Sequence, residues 1–141
     1  MILESDGKVF ELKLKSLNVS VKLLIKNNAV GGNTSASDTL NQGTKPKVVR
    51  VRGSILFENE DHLKDLVKLA EAITEDGSRK VYTVDDKTVN VGDIRQVIFN
   101  KDFNYKKIDK FEAWGVDFSL LQFNTVAEAK EAISKPQASP V

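Results

Sequence analysis

Apolar and polar residues alternate with a period of two along the stretch KVVRVRGSILF, from Lys47 to Phe57. The apolar face of this stretch carries Val49, Val51, Gly53, Ile55 and Phe57. Arg50 and Arg52 fall on the opposite face, so the pattern predicts a strand with one buried side. Gly53 lies inside the run, where a bulge, a bend or a closely approaching backbone is the usual reason for a glycine.

The residues after this strand have the apolar spacing and the end signals of a helix. One helical stripe carries Leu63, Leu66, Val67, Ala70 and Ile73. Asn59 is a suitable N-cap, and Gly77 stands where a left-handed C-cap is expected. We therefore predict a helix from Glu60 to Thr74 that packs its stripe on a sheet.

The N-terminal part of the chain alternates as well, but its apolar face changes phase. Phe10, Leu12 and Leu14 share one face, and then Leu17, Val19, Val21, Leu23 and Ile25 share the next. A regular strand cannot move its apolar face by one residue, so we expect a bulge or turn near Ser16 and Leu17. The region is predicted to be two strands or one broken strand.

Further elements are predicted after residue 80. A tight hairpin at Val84–Lys87 joins VYTV to TVNVG, with Val89 and Val91 on one face. A more central strand spans Ile94–Phe99, and the closing strand GVDFSLLQF has Trp114, Val116, Phe118 and Leu120 on one face. A short C-terminal helix begins with a capping box at Thr125 and is stopped by Pro136.

The segment from Asn27 to Pro46 is poor in large apolar residues and rich in Gly, Asn, Ser and Thr. Its length exceeds that of an ordinary loop. It is either a disordered insertion or an arm that becomes ordered on a neighbouring subunit. We expect one α+β domain over residues 1–134, with this loop at 27–46 and a tail at 135–141.

Composition narrows the choice of function. The 141 residues include no cysteine, which excludes disulfides, zinc–thiolate sites and thiol nucleophiles and fits a reducing cytoplasm. The net charge of +1 gives no overall attraction to nucleic acid or anionic membrane. We expect a soluble protein, because we find no signal peptide and no run of about 20 apolar residues.

Candidate catalytic groups are few. His62 is the single histidine and lies among surface acids, without the converging partners that a base or metal ligand needs. Asp85 and Asp86 are adjacent in a predicted hairpin, where Asp is a favoured turn residue. Phosphate-binding glycine loops and nucleophile elbows are not found either. The sequence thus predicts a non-enzymatic protein with no catalytic, cofactor-binding or metal-binding residues.

The segment from Phe99 to Trp114 interleaves aromatic residues with lysines. It contains Phe99, Phe103, Tyr105 and Phe111 together with Lys101, Lys106, Lys107 and Lys110. Such a strand could stack bases and hold phosphates, which keeps a nucleic-acid-binding β module open as an alternative. Neighbouring acids cancel most of this charge, however, and the aromatic spacing also suits a sheet core.

The order of elements resembles the small β-rich tail proteins of bacteriophages. The similarity is to the N-terminal domain of the so-called DNA circularisation family, whose members connect to the baseplate hub. It covers roughly residues 9–123, where Pro46, Val49, Val51 and Gly53 match a loose strand pattern. The chain departs from that family in its hairpin, which lacks the usual proline and glycine, and we expect no appended peptidoglycan-binding domain after Phe123.

The resemblance implies a mostly antiparallel sheet or partial barrel, with one main helix packed on it and a short C-terminal helix. It also implies a structural subunit of the virion tail, assembled in the host cytoplasm, that forms a homo-oligomeric ring with other tail or baseplate proteins. A tail terminator or distal-tail subunit is the alternative within this class. The candidate subunit contacts are Gly31, Gly32, Asn33, Leu40, Arg50, Arg52, Phe103 and Tyr105.

Overall fold

The computed structural model describes residues 1–25 and 45–124, in which seven strands form one sheet. The strands are β1 (Ile2–Ser5), β2 (Lys8–Glu11), β3 (Lys15–Lys22), β4 (Val48–Leu56), β5 (Tyr82–Asp85), β6 (Gln96–Ile108) and β7 (Ala113–Gln122). Their spatial order is β2-β1-β5-β6-β7-β4-β3, and every neighbouring pair is antiparallel. Two helices, α1 (Glu60–Glu71) and α2 (Lys87–Val91), accompany the sheet. The predicted α+β class and antiparallel sheet are confirmed.

Strand β4 has the predicted face assignment. Val49, Val51 and Ile55 are buried, whereas Arg50 and Arg52 are exposed on the other face. The glycine in this strand also has a structural reason. A Cβ atom at position 53 would lie 2.7 Å from the Cβ of Leu14, so the segment at Leu14 and Lys15 approaches Gly53 too closely for any side chain there.

The close approach at Gly53 coincides with the predicted phase change. The pairing of β3 with β4 shifts register between Lys15 and Asn18, and Ser16 has a positive φ of 54°. This bulge changes the side of the sheet to which the following residues point. The two predicted strands are β2 and β3. Leu23 and Ile25 were assigned to the apolar face of β3, but they lie beyond its end and are exposed.

Helix α1 packs its stripe on the apolar face of the sheet. Leu63, Leu66 and Ala70 are buried, as predicted. The helix ends at Glu71, earlier than the predicted Thr74, and Ile73 is therefore outside it and 60% exposed. Gly77 does have a left-handed φ of 87°, but it lies in the turn after the helix and does not cap it. The cap position is Ala72, which is extended.

The predicted hairpin at Val84–Lys87 is wrong. The residues after β5 form the short helix α2, because the side chain of Asp86 accepts hydrogen bonds from the backbone N–H groups of Thr88 and Val89. Val89 and Val91 consequently point in different directions, the first fully buried and the second 87% exposed. An alternation of apolar residues over so short a stretch did not distinguish one helical turn and a half from a strand.

The central strand that was predicted from Ile94 to Phe99 is longer than expected. Strand β6 begins at Gln96 and continues to Ile108, beyond a register shift between Asn100 and Phe103. A 3₁₀ turn at Asp109–Phe111 then reverses the chain into β7. The predicted face of β7 is confirmed, because Val116, Phe118 and Leu120 are buried and Trp114 is half-buried.

Several predictions concern residues outside the described ranges. They include nearly all of the 27–46 loop, the helix at Thr125 and the tail from residue 135. The proposed domain limits at residues 134 and 135 also lie there. These statements therefore remain predictions from sequence.

Candidate interaction surfaces

The face of the sheet opposite helix α1 carries a charged cluster on strands β4 and β7. Arg50 lies on β4 and binds Asp117 of β7 through two hydrogen bonds, Nε to Oδ1 at 3.2 Å and a terminal nitrogen to Oδ2 at 2.8 Å. Arg52 is the direct cross-strand partner of Asp117, and its Nε lies 3.6 Å from Oδ1 of that carboxylate. We call these three residues the arginine face.

The arginine face is exposed and has a net positive charge. The hydrogen bond from Arg50 holds the pKa of Asp117 below its ordinary value, and the same bond raises the pKa of Arg50. Because one carboxylate is shared by two guanidinium groups, one positive charge is left over for a partner. Lys106 lies on the same side of the sheet, on β6, beside a shallow depression that Arg52 and Asp117 also line.

The opposite face of the sheet has an aromatic row that leaves the core and reaches the surface. Phe99 is buried against Tyr82, with ring centroids 5.8 Å apart, and Phe103 stacks on Phe118 at 5.1 Å. The next residue of the row, Tyr105, is 52% exposed. Of the aromatic residues that could stack bases, Phe99 therefore belongs to the core, Phe103 is half-buried and Tyr105 is exposed.

A cleft of about 280 Å³ lies between the aromatic row and helix α1. The lining residues are Val67, Ala70, Glu71, Arg79, Phe99, Asn100, Lys101, Asp102, Phe103 and Tyr105. We call it the aromatic cleft. Its floor is apolar and aromatic, whereas charged residues from α1, the following loop and the β6 bulge stand at its rim. Such a combination suits an apolar side chain of a partner, held within a polar surround.

The candidate contact residues from the sequence fall into three groups. Arg50 and Arg52 lie together on the arginine face, whereas Phe103 and Tyr105 lie on the other side of the sheet, at the aromatic cleft. Gly31, Gly32, Asn33 and Leu40 lie outside the described residues. The sequence therefore named parts of two separate surfaces.

Asp117 was not recognised from the sequence as the partner of the two arginines. The sequence does indicate the face on which Asp117 lies, because the alternation in GVDFSLLQF puts it on the polar side of its strand. What the sequence lacked was the register that places β7 beside β4.

The groups considered for catalysis have structural roles. The Nε2 atom of His62 accepts a hydrogen bond from the backbone N–H of Lys13 at 3.0 Å. Asp86 caps helix α2, and Asp85 accepts a hydrogen bond from the side chain of Asn90. Among residues 1–25 and 45–124, no group of three or more His, Cys, Asp or Glu side chains is placed to bind a metal ion.

Comparison with known proteins identifies the family of the chain. Residues 1–140 match the family described as the bacteriophage HP1 ORF34 baseplate complex protein. The chain belongs to this family. The match covers almost the whole sequence, and it confirms the expectation of a phage baseplate protein.

A protein from a bacteriophage has a related sequence. The chain is 27% identical over 122 residues to an uncharacterised 20.8 kDa protein from Haemophilus phage HP1, strain HP1c1, described as lying in the lys 3′ region. The alignment covers 86% of this chain but 65% of that protein, so the chain spans less than two-thirds of its relative's length. No solved structure matches the sequence. Within the described residues, no helix is both long and apolar enough to cross a membrane.

Proposed function

We propose that this protein is a non-enzymatic structural subunit of the baseplate that connects the tail hub to its surroundings in a symmetric ring. The observation that carries the proposal is the match of residues 1–140 to a baseplate complex family. The partners are other tail and baseplate proteins, together with further copies of the chain. Assembly takes place in the host cytoplasm before the subunit becomes part of the virion tail.

The geometry of the sheet supports a role in assembly. The arginine face offers unneutralised positive charge on an exposed surface, which favours encounter with an acidic partner and fixes its orientation. The strands β2 and β3 form the outer edges of the sheet in the described part of the chain, and sheet edges can pair with strands of other chains. Two unlike edges on one subunit also permit head-to-tail contacts, which close into rings.

The segment at 27–46 belongs to the proposal as an assembly arm. Its composition and length motivate this part, and Gly31, Gly32, Asn33 and Leu40 are its proposed contact residues. Limited proteolysis of the free protein and of assembled tails tests it. We expect cleavage within 27–46 in the free protein and protection in tails, whereas equal cleavage in both would contradict an assembly role for this segment.

The decisive test of the function is quantitative mass spectrometry of purified phage particles. We expect the chain to be present at a low, fixed copy number relative to the major tail-tube protein, compatible with the symmetry of a ring. A copy number equal to that of the tube protein would contradict a position at one end of the tail. Absence from particles would contradict a virion role and would favour an assembly chaperone.

A further inference from the structure

The two halves of strand β6 have different neighbours. Its first half lies between β5 and β7, and the pairing with β5 comprises Tyr82 with Val97 and Thr83 with Gln96. Its second half, Phe103–Ile108, pairs with β7 alone among the described residues. The chain that precedes β5 turns away, because the N–H of Lys80 donates to the carbonyl oxygen of Ala72 at the end of α1.

A bulge marks the point where the second neighbour ends. Lys101 has a φ of 58°, and the register with β7 shifts between Asn100 and Phe103. Beyond the bulge, the side of the strand that faces away from β7 presents backbone donors and acceptors without a strand partner in the described part of the protein. We call the outer side of Phe103–Ile108 the β6 edge. Such an edge is a template for the addition of another strand.

The side chains along the β6 edge alternate between two different surroundings. Phe103 and Tyr105 point to the side of the aromatic cleft, and Asn104 and Lys106 point to the side of the arginine face. An added strand would therefore place every second side chain beside the aromatic cleft and the others beside Asn104, Lys106 and Ile108. This alternation favours an occupant that is apolar toward the cleft and carries a carboxylate opposite Lys106.

The charges around the β6 edge select the chemistry of the occupant. Lys106 has no carboxylate within 4.0 Å among the described residues, whereas Lys107 is paired with Asp109 at 3.4 Å. Arg52 is too distant to take part, because it lies on β4, beyond β7, so Lys106 is the cation that an acidic side chain on the added strand would meet. Strand β3 of a second copy is a poor match, because it ends in Lys15 and Lys22 and would bring like charges together.

We propose that the β6 edge binds an extended segment of another baseplate protein, in which apolar residues alternate with acidic ones. The segment adds to the sheet beside Phe103–Ile108, inserts apolar side chains into the aromatic cleft and pairs its carboxylates with Lys106. The identity of the partner as a baseplate protein rests on the proposed function. The alternation of apolar and acidic residues in the segment is inferred from the β6 edge itself and does not depend on that function.

Titration of the full chain with a synthetic peptide tests the edge directly. The probe is the acetylated and amidated peptide Ser-Val-Glu-Val-Glu-Val-Ser, and the readout is the amide ¹H–¹⁵N spectrum of the protein. We expect shift changes concentrated at residues 101–108 and along the α1 side of the aromatic cleft. No shift changes at millimolar peptide, or changes concentrated on β3, would overturn the proposal.

A matched peptide and matched variants distinguish charge-dependent binding at the β6 edge from non-specific association. Replacing both glutamates of the peptide by lysine should weaken binding at least about tenfold, since like charges then meet at Lys106. The variants K106E and Y105S should weaken binding of the acidic peptide to a similar extent. The control variants K68E, on the outer face of α1, and F111S, an exposed aromatic residue outside the cleft, should leave it unchanged. Equal weakening by the controls would overturn the assignment.

The peptide experiment and the particle experiment fail independently. If the acidic peptide binds at the β6 edge but the chain is absent from particles, the edge site stands and the baseplate role fails. If the chain is present in particles but the peptide does not bind at the edge, the baseplate role stands and the edge site fails.

Discussion

The ring of His62 lies flat against the ring of Phe10, with centroids 5.0 Å apart and planes inclined by 9°. The same imidazole accepts the backbone N–H of Lys13 at 3.0 Å. Because His62 belongs to the first turn of α1 and the other two residues flank the end of β2, this contact fastens the helix to the link between β2 and β3. A half-buried histidine thus has a structural role that its sequence neighbours did not reveal.

We expect this contact to make stability depend on pH near neutrality. Burial lowers the pKa of His62 in the folded protein, an effect that the charge of Lys13 reinforces and that of Asp65 opposes. The unfolded chain therefore binds the proton more readily, so the contribution of His62 to stability is complete above about pH 6.5 and is lost as the pH drops below it. We expect the urea midpoint of the folded protein to decrease between pH 7.5 and 5.5.

The variant H62Q identifies the source of that pH dependence. Glutamine retains an oxygen acceptor for the N–H of Lys13 but does not titrate. Its urea midpoint should be flatter over the same pH range, even if the lost stacking on Phe10 lowers it throughout. A slope equal to that of the wild-type protein would assign the effect to other groups.

The variant G53A should destabilise the sheet. An added Cβ would lie 2.7 Å from the Cβ of Leu14 and 3.0 Å from the carbonyl oxygen of Lys15, so the β3 bulge would have to move. We expect a loss of about 1–3 kcal/mol in the free energy of unfolding, as for other overpacked sites. Urea denaturation measures it. The control G92A, whose new Cβ would be no closer than 3.5 Å to its surroundings, should cost less, and equal losses would show that the close approach is not the cause.

Asp86 should be the main local determinant of helix α2. Its carboxylate accepts hydrogen bonds from the N–H groups of Thr88 and Val89 at 3.0 and 3.2 Å. Removal of an N-cap of this kind costs about 1 kcal/mol, so D86A should lower the free energy of unfolding by about that amount. D86N retains an acceptor oxygen and should recover most of the loss. If D86N and D86A were equally destabilised in urea, the capping bonds would not be the reason.

The period-two pattern was sufficient for strands with one apolar face. It predicted the buried sides of β4 and β7 and the phase change at Ser16, because each of these strands separates a core from solvent. The hairpin between β1 and β2 also has a local sequence signal. Asp6 and Gly7 both have positive φ, as an Asp-Gly turn of two residues requires.

Other features depend on tertiary pairing and could not be predicted from the local sequence. Helix α2 is too short for its period to differ from alternation, so the cap at Asp86 was the better guide. The β6 edge exists because the pairing with β5 extends only as far as Val97, and no pattern within β6 shows where its neighbour ends. Likewise, the pairing of Arg50 with Asp117 follows from the register of β4 against β7.

Charge reversal on the arginine face should separate assembly from folding. In the double variant R50E/R52E, Asp117 loses both partners, but positions 50 and 52 are exposed and Asp117 is partly exposed, so water screens the new repulsion. We therefore expect the circular dichroism spectrum and thermal midpoint of the isolated protein to change little. Incorporation into particles, measured by mass spectrometry after complementation of a phage that lacks the gene, should fall sharply, because an acidic partner would now meet like charge.

The double variant K64E/K68E changes the net charge equally on the outer face of α1 and should still be incorporated. Unfolding of R50E/R52E would contradict the assignment of both arginines to an exposed face, and normal incorporation of a folded R50E/R52E would remove the arginine face from the assembly interface.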